Sequence, residues 1–359
     1  MNKIVLTLIG SSLMAAGASG QTTQKFSASK ANDYGIVYSL PKTVLDITIE
    51  AEHVVKTPGE FYKYTKKYLK NETPIAESSE SWTVKSVHVN ARGIPNEGEQ
   101  YLMQFKGGSS PFVIMSDTDL PLAINTEDVN VPESPVLPLP VKAAPTPLET
   151  EAARYAVSEE MMQSQSSAKK AELAAQRIFE LRQSRTDYIT GQSDQMPPDG
   201  DALKIIMDQI SAQEAALTAM FLGTEKRETA VRTFTVIPDD EMNRQVIARI
   251  SAIDGIVDSE NLSGDPVILS LNVTERGEMP LSEKGEVKEF PKGGVAYCIP
   301  GSADVKVSYD NQVYWNGGVD MAQFGIVYGL DPKLFSDKKA PSYLILDPVT
   351  GGIKELGTK

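Results

Sequence analysis

Two carboxylates stand two residues apart, Glu50 and Glu52, in the stretch TVLDITIEAEHVV (residues 43–55). On a strand such residues project from one face, about 6 to 7 Å apart. Paired carboxylates at that spacing suit the acid and base of glycoside hydrolysis. A second candidate chemistry is stacking. Tyr309, Tyr314 and Trp315, just before the turn NGG, together with Trp82, offer aromatic faces to a sugar or a peptide. Each set also has a plainer reading. Leu45, Ile47, Ile49 and Ala51 alternate with Asp46, Thr48, Glu50 and Glu52, so the carboxylates occupy the solvated positions of a half-buried strand. A lone tryptophan in a strand is more often a packing residue than a platform. We take the plain readings first and keep a Glu50/Glu52 acid–base pair and a Tyr309/Tyr314/Trp315 ligand surface as the alternatives.

Other chemistries find little here. No metal-ligand spacing joins His53, His88 and Cys298, and DNQVYWNGG is too short for a calcium loop. No Gly-x-Ser-x-Gly elbow is present. GSS at 108–110 reads as a loop and SSAKK at 166–170 as helix surface. The glycines of GDPVILSL and GGVAYCIPGSA do not open helices, so no phosphate cradle and no cofactor are expected. Cys298 lies in the apolar run GGVAYCIP and reads as a buried thiol. The net charge of −13 repels nucleic acid and anionic lipid headgroups, so neither is expected as a partner.

The elements that must position these residues follow from the pattern of the chain. MNKIVLTLIGSSLMAAGASG has a positive start at Lys3, an apolar run and a small-residue end, and predicts a secretory signal peptide over 1–20. No later run reaches the roughly 18 apolar residues of a spanning helix, so the exported chain is expected to be soluble. Residues 21–33 read as a polar leader.

An N-terminal α+β unit over 34–130 is expected to contain the strand carrying Glu50 and Glu52. An amphipathic helix follows in TPGEFYKYTKKYLKN, with Thr57 and Glu60 at capping-box spacing and Phe61, Tyr64 and Tyr68 on one face. Next come strands at SWTVKSVHVNA and QYLMQFKG joined by GIPNEGE, with PFVIMS and LPLAIN as further strands. Six prolines within 131–148 predict an extended linker, or a strap laid on a neighbour.

Residues 149–223 predict an antiparallel helical hairpin. Ala171, Ala174, Ile178, Leu181 and Tyr188 line its first helix; Leu203, Ile206, Ile210, Leu217 and Met220 line its second, with Gln213 as a polar interruption. From 224 to 359 short strands separated by turn residues predict an antiparallel sandwich or barrel, with turns at Asp310-Asn311 and Gly351-Gly352. The fold class is therefore α+β, with two β-rich portions separated by a helical hairpin.

The chain also echoes itself, YGIVYSLPKTVL at 34–45 against FGIVYGLDPKLF at 324–335. The likeness does not extend beyond these segments, so we read two strands obeying one local rule rather than a duplicated domain. The runs YSLPKTVLDITIEAEHVVKTPGEFYKYTKKYL, RIFELRQSRTDYITG, MPPDGDALK and AQFGIVYGL resemble a family of exported Bacteroidetes proteins classed as a domain of unknown function. That resemblance implies a Gram-negative cell-envelope setting and carries no activity and no catalytic residues. The expectation from the whole chain is a non-enzymatic envelope binding or assembly protein whose helical hairpin mediates association. Its partner would be an envelope protein or a glycan. The alternative is a glycan-binding or glycan-hydrolysing protein using Glu50/Glu52 and the Trp/Tyr surfaces.

Overall fold

Alternating apolar residues build strands here, and the computed structural model shows how far they extend. It describes residues 22–25, 36–70, 73–104, 112–129, 136–197, 199–291, 293–335 and 341–358. The expected signal peptide lies outside the described residues. In chain order the elements are β1 (Thr22–Lys25), β2 (Ile36–Thr57), α1 (Thr65–Tyr68), β3 (Ser79–Gln104), β4 (Val113–Met115) and β5 (Pro121–Ile124). Then come α2 (Glu151–Ala156), α3 (Glu159–Gln163), α4 (Ser167–Thr190) and α5 (Gly200–Leu222). The remaining strands are β6 (Thr224–Val236), β7 (Met242–Ser251), β8 (Gly255–Asp258), β9 (Gly264–Glu275), β10 (Val295–Tyr309), β11 (Gln312–Leu330), β12 (Ser342–Leu346) and β13 (Ile353–Thr358).

Three antiparallel sheets result, ordered β1-β3-β2-β6, β11-β10-β9-β7-β8 and β13-β12-β5-β4. The first two pack face to face. Leu45, Ile47, Ile49 and Ala51 of β2 meet Leu269, Val305 and Val307 of the second sheet in the largest core. A second core gathers the third sheet: Tyr38 and Leu40 of β2 with Ile124, Leu344 and Leu346. The expected α+β class, with β-rich portions on either side of a helical hairpin, is the observed one. The two portions also share sheets. β6 pairs with β2 along thirteen positions from Leu45–Val236 to Thr57–Thr224, and β12 pairs with β5 at Leu344–Ile124.

Both copies of the echo reach the second core. Tyr38 and Leu40 belong to it, and Val327 and Leu330 pack against it. The first copy opens β2 and the second closes β11.

Several local expectations are corrected. Four residues of the polar leader form β1, added antiparallel to the end of β3. Main-chain hydrogen bonds to a strand edge do not require apolar side chains. GIPNEGE lies within β3, where Gly93, Ile94 and Pro95 pair with β2 and residues 96–99 fall in a register shift before Gln100 pairs with Ser39. Pro95 sits opposite Pro41, at a break in register between Ser39 and Pro41. Neither proline is asked for a ladder N–H at such a break.

The helix expected within 57–71 shrinks to a 3-10 turn over Tyr62–Tyr64 and the one turn of α1. No capping box forms at Thr57, because β2 continues through that residue. Instead the Phe61 amide donates to the Met220 carbonyl (2.7 Å) and the Thr65 hydroxyl to the Phe221 carbonyl (2.9 Å). The expected aromatic face survives, with Phe61 buried and Tyr64 and Tyr68 packed beside it.

Of the linker, the described part is a strap: Val141 and Thr229 exchange backbone hydrogen bonds (2.8 and 3.1 Å) along the outer edge of β6. The helical region also breaks more often than its composition suggests. Ser158 and Ser166 accept from the amides of Met161 and Lys169, and so start α3 and α4 afresh. These are the capping positions that serine favours.

Candidate functional site

The helical hairpin is the element that most departs from a packed body. α4 ends at Gly191, whose φ of 71° takes the left-handed cap that glycine tolerates. α5 starts at Asp199, whose carboxylate accepts from the Ala202 amide (2.7 Å). Its base is anchored in a third core, where Ala171, Ala174 and Ile178 of α4 meet Leu217 and Phe221 of α5, with Phe61 wedged against them. The alanines let the two helices approach closely. Of the predicted stripe, Ala171, Ala174, Ile178 and Leu181 are buried, and Tyr188 is half-buried.

Beyond Leu181 burial stops. Among the described residues from 182 to 213 none is buried. Ile189, Met196 and Ile205 are 70%, 51% and 64% exposed. On the second helix Leu203, Ile206 and Ile210 are half-buried, Ile210 against the third core, while Leu217 is fully buried.

At the junction of base and tip sits a polar cluster. Glu214 of α5 is 9% exposed. The Arg182 Nε donates to its Oε1 at 2.6 Å. The Arg185 Nη1 lies 2.8 Å from its Oε2, yet that oxygen accepts no hydrogen bond among the described residues. The guanidinium is therefore held by charge, with its N–H groups directed elsewhere. A groove of 430 Å³ opens beside the cluster, with Ser211, Thr218 and Leu222 along its α5 wall. Reasoning from sequence named Gln213 as the interruption of the apolar seam and missed Glu214. The signal was there, because Glu214 falls four residues after Ile210 and three before Leu217, on the seam itself.

The sequence-predicted residues lie elsewhere. Glu50 and Glu52 sit on the β2 face opposite Ile49 and Ala51. Glu50 accepts from the Ser86 hydroxyl (2.7 Å), and Glu52 faces Lys85 (3.5 Å) and Arg227 (3.3 Å). They form rungs of a charged ladder across β3, β2 and β6 that also holds Asp46 with Arg92 and Thr235. Tyr309 and Tyr314 meet at the β10–β11 turn, their rings 6.4 Å apart and tilted by 56°. Trp315 pairs with Val307 and packs, half-buried, against the largest core. Its ring lies over Gly317, where a Cβ would come within 2.9 Å of it. The structure keeps the carboxylate pair on the first sheet and Tyr309, Tyr314 and Trp315 on the second, while Trp82 lies on β3 beside the carboxylate strand.

His53 stands out as well. Its ring stacks on Trp82 at 4.3 Å and 4°. Nδ1 meets Glu228 (2.9 Å) and Nε2 meets Glu80 (2.8 Å). Burial pulls the imidazole pKa down, but hydrogen bonds to the two carboxylates outweigh it and leave it raised. The Trp82 indole N–H is buried without an acceptor among the described residues. Cys298 is buried, and burial pushes its thiol up to about 12, which keeps it protonated and unreactive. Among the described residues no three His, Cys, Asp or Glu side chains gather as a metal site would require. No helix among them is long and apolar enough to cross a membrane.

This arrangement of long paired strands and one helical hairpin has a counterpart in sequence. A family pattern described as a domain of unknown function, DUF4831, matches residues 34–354. The chain belongs to the DUF4831 family. The match takes in all three cores, so the hairpin is part of the DUF4831 domain and not an appendage to it. No curated protein and no solved structure matches the chain.

Proposed function

We propose that this DUF4831 protein is an exported, non-enzymatic binding or assembly protein of the cell envelope, and that it engages a partner protein through the outer half of its helical hairpin. One observation carries the reading: from residue 182 to 213 the described part of the hairpin buries no side chain, yet it presents Ile189, Met196 and Ile205 to solvent. Exposed apolar side chains on a helical element suit contact with another protein, since burying them on association is favoured by the same hydrophobic effect that drives burial on folding. The setting is an inference from residues 1–20, which have the order of a secretory signal. The glycan reading draws less support. Glu52 is committed to two cations and Trp315 to the core, and neither carboxylate faces the aromatic set.

The test is native purification from the envelope of the producing cell with mild crosslinking, comparing the natural protein with an Ile189→Asp/Ile205→Asp variant. A stoichiometric partner, captured by the first and lost from the second with the fold unchanged, is the expected result. A monomer with no partner, or equal capture by both, overturns the reading.

A further inference from the structure

The groove at the base of the hairpin has a chemistry of its own. Two guanidiniums, Arg182 and Arg185, face a single buried carboxylate, Glu214, and one positive charge is left over. Arg182 spends only its Nε on Glu214, and Arg185 directs no N–H at the oxygen it sits beside. Their remaining donors carry no hydrogen bond among the described residues. Ser211 and Thr218, two turns apart on α5 and on either side of Glu214, line the same 430 Å³ space. Leu222 adds an apolar wall at its inner end.

We propose that this groove binds the carboxylate of a small, partly apolar acid, with Arg182 and Arg185 as its fork and Ser211 and Thr218 as secondary donors. A planar monoanion fits the guanidinium geometry and cancels the single surplus charge. Glu214 lies in the same groove and repels any anion, so a monoanion that only cancels the surplus charge is favoured over a phosphate dianion that exceeds it. The proposal does not depend on the hairpin tip docking a protein, because a different set of side chains carries it.

The test titrates the purified protein at low salt with N-acetyl-alanyl-alanine, its carboxyl-terminal amide, hexanoate and inorganic phosphate, following the arginine Nε–H resonances by NMR. The free-acid dipeptide or hexanoate should bind saturably and move the Arg182 and Arg185 signals, while the amide leaves them in place. Whichever acid binds more tightly tells a peptide end from a plain organic acid. Arg185→Gln should weaken binding about tenfold, the loss of one charge-assisted contact. Should that variant disturb the hairpin, Thr218→Val keeps the volume and removes one donor, and it should weaken binding several-fold. Ile189→Asp/Ile205→Asp should leave acid binding unchanged. Absence of saturable binding, equal binding of acid and amide, tighter binding of phosphate, or binding indifferent to both groove variants overturns the proposal.

Discussion

The β sandwich and the helical hairpin bury their side chains on opposite plans. In the sandwich, Ile47 and Leu269 come from sheets far apart in sequence and are both fully buried, so its core depends on partners distant in the chain. In the hairpin, burial is confined to one end. Phe221 and Ile178 close the base, and thirty residues further along the two helices there is only partial cover. Stability is concentrated where chains from different elements converge, and surface is spent where only two helices face each other.

Truncating the two bases of stability should produce the largest effects and test whether they form one cooperative unit. Phe221→Ala should cost about 3–5 kcal/mol and Ile47→Ala about 2–5 kcal/mol, read from urea unfolding. If both shift one common transition, hairpin base and sandwich unfold together. A separate early transition for Phe221→Ala, with amide exchange confined to the helices, would divide them.

Glu214 sharpens the contrast between base and tip. Glu214→Gln removes the charge that holds two half-exposed arginines, and should cost about 1–2 kcal/mol once their exposure is allowed for. Thermal melting checks this, and a neutral result would mean that the arginines are held by helix packing alone.

In the sandwich the comparable polar feature is His53, set between Glu80 and Glu228. Its pKa is raised above the ordinary 6.5. The stabilisation from its protonated form is therefore complete below that ordinary value and is lost as pH rises through the raised one. Natural protein should lose unfolding free energy across that window, and His53→Gln should flatten the loss. Identical pH profiles for the two would remove His53 from the account.

The smallest effect belongs to the tip. Ile205→Ala should stay within about 0.5 kcal/mol of the natural protein. A cost near that of Ile47→Ala would mean that the tip packs against something, and the comparison of the two regions would fail.

The features legible in the sequence are those written in local periodicity. The alternation from Leu45 to Glu52 placed β2 and its buried face, and Asp310-Asn311, with φ of 46° and 60°, turns β10 into β11 as expected. The seam from Ala171 to Leu181 placed α4. What was missed depends on partners remote in the chain. Pro41 and Pro95 argue against strand individually, and only their position opposite each other at a register break makes them harmless. The turn around Phe61 is fixed by carbonyls at the end of α5, some 160 residues later. The pairing of β2 with β6 and of β5 with β12 has no local signature either. At the groove, Glu214 was readable from its place on the seam, but Arg182 and Arg185 look like any solvated helix surface until the facing helix is in position.

The pairing of β12 with β5 sets a condition on how the protein comes into being. Synthesis runs from the N-terminus, and Ile124 must wait for Leu344 before its edge is covered. Until β12 has been made, the second core lacks Leu344 and Leu346. A chain lacking β12 would therefore present the apolar edge of β5 that β4 does not cover to chaperones and proteases. Synthesis of β12 is the event that closes the second core, so a chain cut short before Ser342 should be removed by proteolysis rather than persist as a partly working protein.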